Sequence, residues 1–189
     1  MKIQAPAHGF TLVELMVTVA LIAIMMAIAA PGYVTFQRNS ELTSLANGLL
    51  AAINTARGEA MKRGSYATVI PVDGADWGSG CLVFIDMDRN SAYDSATDKQ
   101  IYVSTALPSY LSVRANGTAG PGSPHISFDA SGFSSPLSST VTLELSRNDV
   151  DAKDYSQIRS IKVAKTGRVR VCTPSSEVDS TCPLLPTKS

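Results

Sequence analysis

The sequence predicts an α+β protein: one long N-terminal helix, apolar in its first half and amphipathic in its second, packed on a β-rich globular head of antiparallel strands. Two observations carry this expectation. The first is an apolar run over residues 10–30 with Glu14 as its one charge, followed by Leu42, Leu45, Leu49, Ile53, Ala56 and Ala60 at three- and four-residue spacing. The second is a change of period after Arg63, where apolar residues begin to alternate with polar ones in short runs. A length of 189 residues suits one head behind an anchor. The chain shows no internal repeat and no second domain.

Residues 10–30 would form a helix about 31 Å long, enough to cross a bilayer core. Glu14 sits near one end of that span. A carboxylate in lipid costs several kcal/mol unless it is paired, which marks it as functional. Cleavage between Gly9 and Phe10 would create a partner, the new amine of Phe10, about one helical turn away on the same or a neighbouring molecule. Glu14 would then also lie in the first helical turn, where the dipole favours negative charge. Pro31-Gly32 reads locally as a stop. The periodic residues beyond it, with Arg38, Glu41, Asn47, Asn54, Arg57 and Lys62 on the polar side, instead predict one helix over residues 11–62, kinked or loosened near Pro31 and ended by Gly64.

Strands are expected at 65–72, 81–85, 100–105, 111–114, 126–128, 140–145, 159–164 and 168–172, separated by clusters of Gly, Pro, Ser, Asn and Asp. The longest separator is the loop 116–124. Val141, Leu143 and Leu145 alternate with Thr142 and Glu144, which predicts one buried and one solvated face. The expected organisation is therefore a leader at 1–9, a membrane segment at 10–30, an amphipathic continuation at 31–63 and a head at 64–189.

The residues Gly9, Phe10, Thr11, Leu12, Val13, Glu14 and Leu15 resemble the processing signal of type IV prepilins. The resemblance implies that a prepilin peptidase cuts after Gly9 and methylates Phe10, and that Glu14 serves assembly. The leader is short and carries Lys2, as such leaders do. An ordinary secretory signal, with Ala27-Ile28-Ala29 as its cleavage site, fits less well, because Glu14 interrupts the apolar region and the helix continues beyond it. The helix over 42–63, Trp77 with Leu82-Val83-Phe84-Ile85-Asp86, Phe128 with Gly132, and Gly167-Arg168-Val169-Arg170-Val171-Cys172 resemble the GspH/FimT family of minor pilins and type II secretion pseudopilins. That family implies a pilin-like fold, other major and minor pilins as partners, and placement in the inner membrane by a single pass. The head would face the periplasm before the protein enters the pilus fibre, at or near its tip.

Charge is balanced, with 16 basic and 16 acidic residues. Losing Lys2 with the leader leaves 15 basic residues against 16 acidic. A nucleic-acid role must then come from a local patch. The chain has three cysteines, and an oxidising periplasm permits a disulfide. Cys172–Cys182, which ties the tail to the last strand, is the expected pair; Cys81–Cys172 is its rival, since both cysteines lie at strand ends. Asp86, Asp88, Asn90, Asp94 and Asp98 crowd one turn, and the first three imitate the start of an EF-hand loop. Ser91 holds the glycine place and Thr97 the place of the final glutamate, so no metal is assigned. No cofactor is expected. His8 leaves with the leader and His125 remains alone, which removes any two-histidine metal site and leaves no catalytic set. Gly117, Gly120 and Gly122 lack the ending of a phosphate loop. The chain reads as a substrate of an enzyme and not as one.

The last hairpin carries the remaining chemistry. A three-residue loop, Lys165-Thr166-Gly167, would pair Ala164 with Arg168, Val163 with Val169, Lys162 with Arg170 and Ile161 with Val171. The valines and isoleucine then share one face and Lys162, Arg168 and Arg170 the other, whereas a two-residue loop would mix the faces. One reading of the cations is a solvated face that protects an edge strand. The other is phosphate binding: in FimT-type minor pilins a G-R-x-R motif is linked to DNA capture, and Gly167-Arg168-Val169-Arg170 matches it. Lys162, Lys165, Arg168 and Arg170, with Arg159 nearby, would contact backbone phosphates without reading sequence. The function expected is thus a minor type IV pilin that helps start pilus assembly and binds DNA for natural transformation. The alternative is a minor pseudopilin of a type II secretion system without DNA binding.

Overall fold

The computed structural model describes residues 9–136, 140–151 and 153–186, without the side chains at 30 and 31. The leader apart from Gly9, and the side chain of the expected kink residue Pro31, lie outside the described residues. The helix α1, Leu12–Arg63, runs through position 31 without a break. The chain forms two compact units, Met1–Ser40 and Glu41–Ser189, and α1 contributes to both.

In the first unit, Leu12–Ala29 has a mean hydropathy of 2.6 and none of it is buried. An uncovered apolar stretch of that length needs lipid or other helices around it. Its start is set by Thr11, whose hydroxyl accepts from the Glu14 amide at 3.2 Å. This satisfies one of the donors that a helix N-terminus leaves open.

In the second unit, the rest of α1 buries Leu42, Ala46, Ile53, Ala56 and Ala60 completely. Four of these positions come from the predicted helical stripe. They pack on two antiparallel sheets. The first has the order β3-β2-β1-β5-β6, from β1 (Tyr66–Pro71), β2 (Cys81–Asp86), β3 (Lys99–Val103), β5 (Ile126–Phe128) and β6 (Ser134–Ser135). The second has the order β4-β7-β8-β9, from β4 (Leu111–Ala115), β7 (Val141–Arg147), β8 (Ile158–Val163) and β9 (Val169–Cys172). The helix and both sheets share one core that includes Val69, Val83, Phe128, Leu143 and Ile161. Trp77 closes it between the sheets' loops, donating from its indole nitrogen to the Ala119 carbonyl at 2.9 Å.

Each expected strand is present, with ends displaced by one or two residues. Two readings of the head need correction. The two-residue β6 shows no alternation to predict it. Thr142 and Glu144, expected on a solvated face, are buried along with Val141, Leu143 and Leu145. The reason is a long-range one: the C-terminal segment returns across the outer face of the second sheet.

Candidate functional site

The hairpin of β8 and β9 has the register that its loop predicts. Val163 pairs with Val169, Lys162 with Arg170 and Ile161 with Val171. The Ala164 amide donates to the Arg168 carbonyl at 2.9 Å, and the Gly167 amide to the Ala164 carbonyl at 2.8 Å. Gly167 has a φ of +75°, a conformation that only glycine adopts cheaply. A Cβ there would also lie 1.9 Å from the Gly132 carbonyl oxygen.

The tip is therefore seated on the rest of the head. Arg57 of α1 donates from Nε to the Gly132 carbonyl at 2.9 Å and from Nη2 to the Thr166 carbonyl at 3.4 Å. The Ser134 amide of β6 donates to the Lys165 carbonyl at 3.1 Å. Sequence reasoning placed Arg57 on the polar side of the helix and gave it no further role. Its partners lie 75 and 109 residues away, and no local pattern announces them.

The residues expected to form the phosphate-binding face separate in the structure. Lys165, Arg168 and Arg170 are exposed, and Arg170 also donates to the Thr181 carbonyl at 3.1 Å. Gly167 is buried and shapes the turn. Lys162, expected among the solvated cations, is only 7% exposed. Burial pushes its pKa down, Arg170 opposite adds to the effect, and Asp179 partly offsets it. Arg159 also leaves the group. It lies on the inner side of β8, donating to the Ser156 and Ile158 carbonyls and, at 3.0 Å, to the Thr43 hydroxyl of α1. Its pKa is lowered by burial.

The cover over Lys162 is a C-terminal strap, residues 173–186. Cys172 and Cys182 form a disulfide with their Cα atoms 5.9 Å apart. Cys81 is a free, buried thiol whose pKa is raised by burial, so the pairing with Cys81 is not made. Within the strap, Asp179 gathers five donors: the amides of Ser175, Thr181 and Cys182 and the hydroxyls of Ser175 and Thr181. They hold its carboxyl well below the usual carboxylate range, the Thr181 hydroxyl most of all. Further along, the Leu185 amide donates to Glu144 at 2.9 Å, and Arg114 donates to the carbonyls of Leu185 and Pro186. Arg114 also pairs with Glu144 at 3.6 Å.

The acidic turn after β2 is built differently from a cation loop. Asp86, Asp88 and Asp98 bring carboxylate oxygens within 4.8 Å of one another. Those of Asp86 already accept from the amides of Asn90 and Ser91 and from the Thr68 hydroxyl. Those of Asp98 accept from the amides of Met87 and Asp94. The carboxylates thus fold their own loop, including the left-handed Arg89 and Ser91 with φ near +60°. Burial raises the Asp86 pKa, which favours its neutral form.

The fold is shared with a solved minor pilin. A crystal structure of the type IV minor pilin FimU of Pseudomonas aeruginosa covers 75% of this chain and 98% of its own, with a TM-score of 0.57 and 20% identity. The minor pseudopilin EpsH from the type 2 secretion system of Vibrio cholerae covers 72% of this chain and 99% of its own, with a TM-score of 0.49 and 17% identity. A fimbrial protein of Moraxella nonliquefaciens is 46% identical over 52 residues. That match takes in 26% of this chain and 34% of the relative, so the chain spans about a third of the length of this curated protein. Residues 5–30 match the prokaryotic N-terminal methylation motif. Residues 45–167, about two thirds of the sequence, match the model of the type II transport protein GspH. The chain belongs to the family of the type II transport protein GspH.

Proposed function

We propose that this protein is a minor type IV pilin whose C-terminal hairpin binds DNA for uptake in natural transformation. A prepilin peptidase would cut between Gly9 and Phe10 and methylate the new amine. The apolar segment would hold the protein in the inner membrane as a single pass with a periplasmic head. Glu14 would pair with a Phe10 amine as the subunit joins other pilins in the fibre, at or near its tip.

The observation that carries the DNA reading is the exposure of Lys165, Arg168 and Arg170 around a tip seated on α1 and β6. Three cations on a rigid support can neutralise about three phosphates, for a salt slope near −2.7 on duplex DNA. Among the cations of the tip there is no interleaved aromatic side chain, so stacking on bases is not expected and recognition is of the backbone. Such binding is weak per copy and gains from several copies on one DNA molecule.

Arg168→Gln with Arg170→Gln tests it, because the strand pattern survives while two charges go. Gel shift should show loss of DNA binding, with transformation reduced and pili still assembled. Wild-type affinity at every salt concentration would reduce the patch to a solvated strand face. The GspH match also favours a second reading, a type II secretion pseudopilin without DNA binding. Deleting the gene separates the two, since one predicts a loss of pili and the other a loss of secreted protein.

A further inference from the structure

The outer face of the second sheet has the composition of a wet surface and the burial of an interior. One rung across it holds Arg114, Glu144, Ser160 and Cys172, and the next holds Thr142, Lys162 and Arg170. Glu144, Ser160, Thr142 and Lys162 are all nine-tenths buried or more. The Ser160 hydroxyl has no hydrogen-bond partner among the described residues. Burying a lysine and an unsatisfied hydroxyl opposes folding, so this face is poorly matched to a permanent cover.

The cover is also thin. Of strap residues 173–186, Pro174, Cys182 and Leu185 are the buried ones. The strap is tied by the Cys172–Cys182 bridge at one end and by the Leu185–Glu144 hydrogen bond at the other. Between these ties it carries Asp179, which bonds both groups of Thr181, while Arg170 donates to the Thr181 carbonyl. Arg170 thus reaches the strap at the residue that Asp179 holds, which brings a carboxylate supplied by the chain itself close to the Lys162–Arg170 rung.

We propose that the strap is an internal competitor for phosphate: while closed it covers Lys162 and carries Asp179 beside the Lys162–Arg170 rung, so that DNA meets three cations, and loosening it gives a bound polyanion a fourth. The inference rests on the reading of the hairpin as a DNA-binding face. With the strap closed the hairpin presents three cations, and with it loosened, four.

The test uses the full chain in detergent micelles and mixed-sequence duplex DNA. Wild type should show a salt slope near −2.7. Asp179→Asn, and separately Cys172→Ser with Cys182→Ser, should steepen it to about −3.6 and raise affinity about eightfold at 0.1 M salt, the worth of one more phosphate contact. Adding Lys162→Gln should cancel the gain in both backgrounds. A small amine-acylating reagent, with peptide mapping, should modify Lys162 slowly in wild type and rapidly in the disulfide-free variant. The Asp179→Asn variant keeps the disulfide, so loss of fold in the serine variant does not remove the test. DNA binding by wild type that neither variant strengthens, with equal Lys162 acylation in all, overturns the inference and leaves the DNA reading standing. Absence of DNA binding in every form overturns both.

Discussion

Lys162 and Arg170 face each other across the β8–β9 ladder, and only Arg170 reaches solvent. Like charges opposed in a ladder repel, and here one of them is also desolvated. The folded state therefore disfavours protonated Lys162, and its pKa is lowered.

Lys162→Met should stabilise the head at neutral pH. A lowered lysine pKa means that stability is lost as pH falls through the folded value and is restored above the ordinary value of 10.5. At pH 7 the wild type carries that penalty, and methionine removes it while keeping the apolar stem. A gain of roughly 1 kcal/mol is expected. Denaturant melts should show the gain at neutral pH and its decline toward alkaline pH. A destabilised methionine variant would mean that Lys162 is well satisfied where it lies.

Gly167→Ala should lower stability by about 2 kcal/mol or more, combining a left-handed φ with a clash against the Gly132 carbonyl. The tip would have to leave its seat on Arg57. DNA affinity should fall with it although no charge is removed. Unchanged stability would show that the tip is loosely held.

The hairpin was legible in the sequence because its information is local. An odd loop with Gly167 in third place and alternation on both sides admits one register that keeps Ile161, Val163, Val169 and Val171 on a common face. The helix stripe from Leu42 to Ala60 was legible for the same reason. The burial of Lys162, Thr142 and Glu144 was not, because the strap that covers them returns from beyond Cys172 and carries no periodic signal. The role of Arg57 was equally hidden, since a polar helix position looks the same whether it faces water or a carbonyl 75 residues on. The expected Cys172–Cys182 pair, which the structure contains, ties the tail back to the last strand, but nothing in it says which side chains the tail conceals.

Processing should begin the mature chain at methylated Phe10. Gly9→Val should leave the leader attached, because the peptidase signal places a small residue before the cut. Mass spectrometry of the N-terminus distinguishes the outcomes, and a terminus near Ala30 would instead indicate ordinary secretory cleavage.

Glu14→Ala should leave membrane insertion intact, since it removes a charge from the span. Incorporation into fibres should fall at least about tenfold, because a Phe10 amine in the apolar bundle would lose its carboxylate, and an unpaired buried charge costs several kcal/mol. Immunoblots of sheared pili against membrane fractions measure both. Wild-type recovery in the sheared fraction would remove Glu14 from assembly.

Asp179→Asn should weaken the strap in a pH-dependent way. The hydroxyls of Thr181 and Ser175 and the amides of Ser175, Thr181 and Cys182 favour the charged carboxylate, which depresses its pKa in the folded protein. A depressed carboxyl contributes stability that is present above the unfolded value, 3.8, and is lost as pH falls through the folded value. Asparagine keeps one acceptor oxygen of two and cannot serve five donors. Wild type should therefore melt above the variant at neutral pH, and the two curves should converge as pH falls below about 4. The convergence is the informative part. A fixed offset across the whole range would mean that the substituted amide disturbs packing without any contribution from charge, and Asp179 would then be no anion for the Lys162–Arg170 rung.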